Sequence, residues 1–470
     1  MNGNRISRRG FLKMAGAGAA ALAAPRWLSG AEPPSKRPNI LFVFTDQQRA
    51  DMLSCAGNKY LKTPAMDSLA ANGARFERAY CANPVCVPSR FAMMTGVMPS
   101  RIGLEENAQI NKKVPVEILE RSLGRVFRSA GYETAYGGKV HLPMTLEQIG
   151  FDCISKDERS GLADACAAFL RRKHDKPFLL VASFINPHDI CFMALEAVAK
   201  RPPGGLLGQA LKLPEGVSRQ EFASKQCPPL PANFEAPQGE PDGVKQIDSR
   251  RFRFWVREHW TEEDWRLHRG AYCRLTEMVD AEIGTVLRAL REAGLEDSTL
   301  VVFSSDHGDM DASHRLEHKS VLYEEAQRVP LVVSWKGVTR PGLVDTEHLV
   351  STGLDLIPTL CDFAGIPVPK ELPGRSVRSL AEGRKPDAWR DFLVSEGNHS
   401  RALRTARFKY TVYDVGERRE MLVDLEKDPG EMKNLAADAA FRAVLEDHRK
   451  RLRQWMEESR DSLAQGYVVP

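Results

Sequence analysis

Five apolar runs, each long enough to form a buried strand, end in or beside polar side chains: residues 39–48, 133–142, 176–189, 298–309 and 329–337. A strand with one solvated face alternates apolar and polar residues, so unbroken apolar runs indicate strands covered on both faces. Helical patterns occupy segments between these runs: residues 63–76, 122–132, 161–174 and 276–294. The alternation predicts an α/β domain with a mostly parallel, doubly wound sheet.

Side chains that can bind metals or anions follow four of these predicted strands: Asp46 with Gln47, Lys139 with His141, His188, and Asp306 with His307. In parallel sheets, ligands bind beyond the carboxyl ends of the strands. We therefore expect all of these side chains to face one crevice.

Two of the strand ends together supply carboxylate, amide and imidazole ligands: Asp46, Gln47, Asp306 and His307. Carboxylate and carbonyl oxygens suit a hard cation such as Ca²⁺, and Mg²⁺ or Mn²⁺ is not excluded. The alternative is that Asp46 caps a helix and that the Asp-His pair is solvated. The pairing at two strand ends favours one divalent cation.

Further cationic and imidazole groups lie near these positions in the sequence: Lys139, His141, His188 and Lys319. Fixed positive charges around a metal are typical of a site for a tetrahedral oxyanion ester. Taken singly, a lysine is usually solvated and a histidine is usually structural. His314 and His318 are four residues apart and could share a helical face, although a polar loop fits them better.

The first 31 residues read as an export signal. Twin arginines in SRRGFLK (7–13) precede a short apolar run at 14–24, the pattern of a bacterial twin-arginine signal. A disordered basic tail or an uncleaved anchor are the alternatives. The pattern predicts export by the twin-arginine machinery to a periplasmic or secreted location.

The chain's net positive charge of +4 comes from that segment. Without residues 1–31, 61 basic residues remain against 62 acidic ones, so the charge balance gives no support to a nucleic-acid partner. The chain has nine cysteines, an odd number, and none has zinc-site spacing. If the others form disulfides, Cys86 is the natural unpaired one.

Changes in composition along the rest of the chain indicate where its domains begin and end. We predict a catalytic α/β domain over 36–390, an irregular insertion over 190–270, and a small α+β subdomain over 391–470. Proline and glycine are concentrated between 200 and 246, as in a substrate-binding lid or an inconsequential surface loop. Arg404 in the subdomain could reach a substrate subsite or lie on a surface strand.

The stretch CVPSRFAMMTG (86–96) places a cysteine near the predicted metal, although soft sulfur matches a hard cation poorly. This stretch resembles the C-x-P-S-R-x-x-x-x-T-G signature of the type I sulfatases, in the alkaline phosphatase superfamily, at every fixed position. In that family the cysteine is converted to formylglycine, an aldehyde that hydrates to a geminal diol. The resemblance implies that Cys86 is a precursor modified by a formylglycine-generating enzyme.

Other stretches are similar to the same family: 39–57, 137–142, 186–189, 304–310, 318–333 and 422–436. The resemblance therefore covers most of the chain. It implies an alkaline-phosphatase-like mixed, mostly parallel sheet flanked by helices, with a small C-terminal α+β subdomain.

The resemblance also implies a role for each site residue. The metal ligands would be an oxygen of modified Cys86 together with Asp46, Gln47, Asp306 and His307. Arg90 would orient the diol. Lys139, Lys319 and His188 would hold the sulfate, with His188 protonating the leaving alcohol and His141 acting as the base that releases sulfate. The family more often has aspartate at position 47 and asparagine at position 307, so the metal's identity is left open.

These observations predict an exported sulfatase that hydrolyses sulfate monoesters of a sulfated carbohydrate. One alternative is a phosphonate monoester or phosphodiester hydrolase of the same superfamily, since such enzymes can share the signature and the Asp-Gln start. A second alternative is a non-catalytic relative that binds glycans or anions.

Overall fold

An eight-stranded, mostly parallel sheet forms the centre of the protein. The structure is a computed structural model and describes residues 37–247 and 251–469. The signal predicted at 1–31 lies outside the described residues. The described residues form fourteen strands: β1 (Asn39–Asp46), β2 (Ala74–Phe76), β3 (Ala79–Tyr80), β4 (Glu133–Gly138), β5 (Asp152–Ser155), β6 (Phe178–Pro187), β7 (Thr299–Ser305), β8 (Leu331–Ser334), β9 (Leu343–Asp345), β10 (Val350–Ser351), β11 (Phe392–Gly397), β12 (Ser400–Thr405), β13 (Phe408–Tyr413) and β14 (Glu420–Asp424).

The helices lie mainly between these strands. Within the described part of the chain there are fifteen α-helices: α1 (Pro64–Ala71), α2 (Cys86–Thr95), α3 (Val116–Glu120), α4 (Leu123–Ser129), α5 (Leu162–Arg171), α6 (Cys191–Ala199), α7 (Gly205–Ala210), α8 (Arg219–Lys225), α9 (Asp242–Ile247), α10 (Arg251–His259), α11 (Glu262–Glu292), α12 (Glu324–Gln327), α13 (Leu356–Ala364), α14 (Arg378–Ala381) and α15 (Arg442–Ser459).

The strand order in the large sheet is β5-β4-β6-β1-β7-β8-β2-β9. The five strands from β5 to β7 are parallel to one another, and β8 is antiparallel to both β7 and β2. The predicted mixed, mostly parallel sheet is confirmed. The run at 329–337 forms β8, so it is a strand as expected but runs in the opposite direction to β7.

Helices cover both faces of this sheet, which explains the unbroken apolar runs. In β1, Phe42 and Phe44 point into one core with Phe91 of α2, whereas Leu41 and Val43 point into the opposite core with Ile283 of α11. Successive strand residues face opposite sides, so both sets must be apolar when helices lie on both sides.

A separate antiparallel sheet, β11-β12-β13-β14, forms the C-terminal part. Helix α15 packs on it through Leu445, Leu452 and Met456, which contact the same apolar cluster as Leu403 and Tyr410. The predicted α+β subdomain is confirmed as a fold element. Elsewhere the helices predicted at 122–132 and 161–174 correspond to α4 and α5.

The prediction that 190–270 is irregular is wrong in its secondary structure. This segment contains the short helices α6 to α10 and the beginning of α11. Proline and glycine limit the helices without preventing them, and apolar residues such as Leu207 and Phe222 pack against Leu267 of α11. Tertiary burial therefore outweighs the composition of the segment.

None of the helices in the described residues combines the length and the apolar character that crossing a bilayer requires. All nine cysteines lie within the described residues, and none of them forms a disulfide there.

A buried carboxyl group joins the C-terminal sheet to the segment after α2. Glu396 of β11 is fully buried and accepts hydrogen bonds from the Ser100 hydroxyl and, at 2.8 Å, from the Ser100 backbone N–H. Burial raises the pKa of Glu396 to about 7, although the positive charge of Arg401 lowers it in part and the negative charge of Asp461 raises it.

The Glu396→Gln variant is expected to have a flatter pH dependence of stability. The folded-state pKa of about 7 lies above the ordinary value of 4.5, so the protonated carboxyl favours the folded state. This contribution is complete below about pH 4.5 and is lost as the pH rises through 7. Urea unfolding at pH 5 and pH 8 should show the native chain losing roughly 2–3 kcal/mol more than the variant. Equal losses in both proteins would contradict the prediction.

Candidate active site

The four central strands of the large sheet bring the predicted polar groups to one edge. β4, β6, β1 and β7 are neighbours in that order and are parallel. Their carboxyl ends lead to Lys139, His188, Asp46 and Asp306, respectively. The strand order therefore places the two carboxylates at neighbouring strand ends, next to the end that carries His188.

Arg90 joins the ends of β1 and β7. Its Nη2 donates to Asp46 Oδ2 at 2.8 Å and its Nε donates to Asp306 Oδ2 at 2.7 Å. Its Nη1 donates to the carbonyl of Lys139 and to the hydroxyl of Ser183, both at 2.8 Å. The planar guanidinium supplies donors in a fixed fork, so it sets the spacing of the two carboxylates.

Cys86 is the first residue of α2 and is fully buried in a polar environment. Its Sγ lies 3.1 Å from Lys319 Nζ and 3.3 Å from His307 Nε2. Asp46 Oδ1 and Lys139 Nζ are 3.8 and 3.9 Å from the same sulfur. A buried structural cysteine behaves as a small apolar side chain, and these surroundings do not fit that role.

The charges at the site shift the pKa values of its acidic groups in different directions. Burial would raise the pKa of Asp46, but nearby positive charges, chiefly that of Lys139, hold it well below its ordinary range. Burial and the charge of Asp46 raise the pKa of Asp306 to about 6. Burial would also raise the pKa of the Cys86 thiol, but the neighbouring lysines keep it well below its usual value.

The arrangement of donors fits one divalent cation. One ligand atom from each of four residues lies within 4.8 Å of the others: Asp46, Cys86, Asp306 and His307. Ligands on opposite sides of a Ca²⁺ ion at about 2.3–2.6 Å are separated by roughly 5 Å. Two buried carboxylates this close also need a positive charge between or beside them.

Gln47 faces the same group of residues through its amide. Its backbone has φ = +68°, a left-handed conformation that is uncommon outside glycine. Its N–H donates to Asp306 Oδ1 at 3.1 Å, and its carbonyl accepts from the Tyr272 hydroxyl at 2.5 Å. The side-chain Oε1 accepts from Lys319 Nζ at 2.8 Å. The strained residue is therefore held from several sides.

Two lysines extend into the site. Lys139 Nζ donates to Asp46 Oδ2 at 2.7 Å, and Lys319 Nζ lies 3.8 Å from Asp46 Oδ1. Burial would lower the pKa of Lys139, but Asp46 raises it above its ordinary value. Both ammonium groups are therefore placed to hold an anion close to Cys86.

The two predicted catalytic histidines are placed differently. His188 follows β6 and is close enough to the charged residues to respond to them, since burial and the charge of Lys319 lower its pKa. His141 has φ = +43°, and its Nδ1 is buried without a hydrogen-bond partner. Among the described residues no hydrogen bond joins His141 to Cys86.

His314 and His318 lie in a polar loop, and Arg404 lies where the C-terminal sheet contacts the catalytic domain. His314 lies in a single 3₁₀ turn, Ser313–Arg315, and stacks on Tyr323, so the polar-loop interpretation of His314 and His318 is confirmed. His318 reaches the site, with Nδ1 3.4 Å from Gln47 Nε2. Arg404 is buried, contrary to a surface position, and its Nε lies 3.9 Å from Glu324.

Sequence reasoning missed three residues that support the site. Ser89 donates its hydroxyl to the Asp306 carbonyl, Ser183 accepts from Arg90, and Tyr272 supports the Gln47 carbonyl. Ser89 is a fixed position of the 86–96 signature and could have been assigned. Nothing in the local sequence marks the other two, because both act on residues far away in the chain.

Comparison with known proteins agrees with this geometry. The Sulfatase family model matches residues 38–366, and a second model, N-sulphoglucosamine sulphohydrolase, C-terminal, matches residues 312–458. A Delta 4,5-hexuronate-2-O-sulfatase of Bacteroides thetaiotaomicron is 31% identical over 455 residues, which cover 91% of this chain and 90% of that protein.

Solved structures show the same architecture. The structure of a 2-O GAG sulfatase is 30% identical, has a TM-score of 0.79, and covers 92% of this chain and 94% of its own. A phosphonate monoester hydrolase of Agrobacterium radiobacter has a TM-score of 0.71 at 22% identity, covering 90% and 96%, a likeness of fold alone. The family match extends over most of the catalytic domain and includes the strand ends that carry the site. The chain belongs to the sulfatase family of the alkaline phosphatase superfamily and is a sulfuric ester hydrolase.

Proposed function

We propose that this enzyme is an exported bacterial sulfatase that hydrolyses sulfate monoesters of a carbohydrate, using formylglycine made from Cys86 and a bound divalent cation. The observation that carries the proposal is the setting of Cys86. Its Sγ is fully buried yet lies 3.1 Å from an ammonium group and 3.3 Å from an imidazole nitrogen. Such surroundings suit an oxygen-bearing group that must lose a proton.

The modification and the cation would supply the reactive chemistry. When formed, the hydrated aldehyde provides an attacking hydroxyl and a second hydroxyl through which sulfate can be released. The residues that would hold the cation are Asp46, Gln47, Asp306 and His307. Their two carboxylates and one amide oxygen favour Ca²⁺, and Mg²⁺ or Mn²⁺ suits the same donors.

The chain's own residues would bind the ester and move protons. Lys139 and Lys319 are placed to neutralise the sulfate oxygens, and Arg90 keeps the carboxylates fixed while the substrate binds. His188 would protonate the leaving alcohol, since an anionic ester beside it offsets the effect of Lys319 and favours the protonated ring. His141, whose Nδ1 is buried and unpartnered, would act as the base for sulfate release.

A carbohydrate substrate is supported by the activities named for two relatives. One is the Delta 4,5-hexuronate-2-O-sulfatase, and another, 25% identical over 498 residues, is an N-acetylglucosamine-6-O-sulfatase of the same organism. A 2-O-sulfated unsaturated hexuronate is therefore the first substrate to test. Export through the twin-arginine machinery, to the periplasm or beyond, rests on the signal at 1–31.

The proposal is tested with protein produced with and without a formylglycine-generating enzyme. We expect the peptide carrying Cys86 to show the mass of an aldehyde only in the co-produced sample. That sample should hydrolyse a sulfated hexuronate or an aryl sulfate, and the unconverted sample should not. Faster hydrolysis of an aryl phosphonate than of any sulfate ester would instead support the phosphonate hydrolase alternative, and an unconverted thiol beside an active maturase would contradict the mechanism.

A further inference from the structure

A buried carboxylate behind the site contacts Gln47 and has no role in the mechanism above. Asp309 is fully buried, and its Oδ2 lies 2.6 Å from Gln47 Nε2. At the other end of the same amide, Gln47 Oε1 accepts from Lys319 Nζ at 2.8 Å. An ammonium only donates, and an ionised carboxylate only accepts. These two neighbours therefore determine which end of the amide points toward Cys86.

The nitrogen end of the amide has two polar neighbours. Besides Asp309, the ring nitrogen Nδ1 of His318 lies 3.4 Å from Gln47 Nε2. The Gln47 backbone cannot shift to compensate, because Tyr272 holds its carbonyl and Asp306 accepts from its N–H. With the backbone held, the polar neighbours of the amide decide how the end of this side chain is oriented.

Asp309 is itself fixed by neighbouring groups. Its Oδ1 accepts from the backbone N–H of Asp311 at 2.7 Å. Asp311 in turn accepts from Arg269 Nε of α11 at 3.1 Å and lies 3.4 Å from His268 Nδ1 of the same helix. The carboxylate that contacts Gln47 is thus connected to the long helix α11.

We propose that Asp309 is a positioning residue that presents Gln47 Oε1 to the divalent cation. The inference rests on the proposed function, because it requires the cation to bind beside Asp46 and Asp306. A carboxylate can ligate a hard cation through either oxygen, whereas an amide has a single oxygen and its nitrogen does not ligate. An amide ligand therefore needs a partner that fixes its orientation, and Asp309 is that partner.

The first test measures cation affinity in the full-length protein. Calcium or manganese would be titrated in competition with a chelating dye, and the dissociation constant would be compared for the native chain and Asp309→Ala. Loss of a group that orients a metal ligand typically weakens metal binding about 10- to 100-fold, and we expect a loss in this range. Circular dichroism establishes that the variant is folded.

The second test exchanges the amide at position 47 and the carboxylate at position 309. Gln47→Glu alone places two carboxylates at the present 2.6 Å contact, so we expect weaker cation binding than in the double variant. In Gln47→Glu/Asp309→Asn the amide nitrogen at position 309 can donate to the carboxylate at position 47. The double variant should bind the cation within about threefold of the native chain, a recovery that a merely structural role for Asp309 does not produce.

The results of these titrations test the role of Asp309 separately from the proposed cation-dependent function. Native-like affinity in Asp309→Ala, or a double variant no better than Gln47→Glu, would overturn the inference alone. If the native chain binds neither cation, the proposed function fails together with the inference. Asp306→Ala, which removes a direct ligand, serves as the control for loss of the site. If Asp309→Ala does not fold, the double variant decides the question.

Discussion

Replacing Cys86 by serine is expected to abolish turnover, with a loss in kcat of about 10⁶-fold, the magnitude found when a catalytic nucleophile is removed. A serine hydroxyl at this position can attack once, but it has no second hydroxyl through which the sulfate ester could be released. We therefore expect at most one equivalent of product for each enzyme molecule. Single-turnover measurements and the mass of the peptide from 86 onward test this.

The matched control is Cys86→Ala, which should give no product at all. Both variants should unfold close to the native midpoint, because position 86 begins α2 and either side chain fits in the volume of cysteine. Sustained turnover by the serine variant, in a host whose maturase converts only cysteine, would show that the hydrated aldehyde is unnecessary.

A large loss of folding stability is expected when Arg90 is replaced. Arg90→Met should lower the free energy of unfolding by roughly 3–5 kcal/mol, because it leaves the buried carboxylates of Asp46 and Asp306 without their shared partner. Arg90→Lys should recover only part of this loss, since an ammonium cannot reproduce the fork that contacts both carboxylates. Urea unfolding without added cation measures the effect.

An exposed arginine provides the comparison. Arg171 pairs with Glu292 at 2.9 Å, and both side chains are more than half exposed. Arg171→Met should change the free energy of unfolding by less than about 1 kcal/mol. Similar values for the buried and the exposed arginine would mean that Arg90 does not balance the two carboxylates.

The strand ends could be predicted because their signal is local. An apolar run that stops at an acid identifies both the strand and the group beyond it, as with Asp46 and Asp306. A parallel sheet then brings those ends to one edge without further information. The same argument placed Lys139 and His188 correctly, although neither residue type is specific by itself.

The contacts that hold Gln47 in place could not be predicted from the local sequence. Tyr272 reaches Gln47 across 225 positions of sequence, from the middle of a helix whose own pattern reports only its apolar face. Asp309 follows the Asp306-His307 pair closely, yet its contact depends on the left-handed backbone of Gln47. The helices of 190–270 were missed because their stability comes from tertiary packing, on α11 for Leu207 and Phe222 and on Tyr413 for Val244, and not from propensity.

The burial of Cys86 limits the time during synthesis when this residue is accessible to another enzyme. In the folded chain its side chain is inaccessible, so the maturase of the proposed function would have to act before α2 is covered. The groups that cover it, including Asp306 and Lys319, lie more than 200 residues later in the chain. At ribosomal speeds of about 5–20 residues per second, the signature is exposed for on the order of tens of seconds before these partners exist. If the proposed modification holds, the active fraction depends on whether conversion of Cys86 precedes folding, and slower translation is expected to raise it.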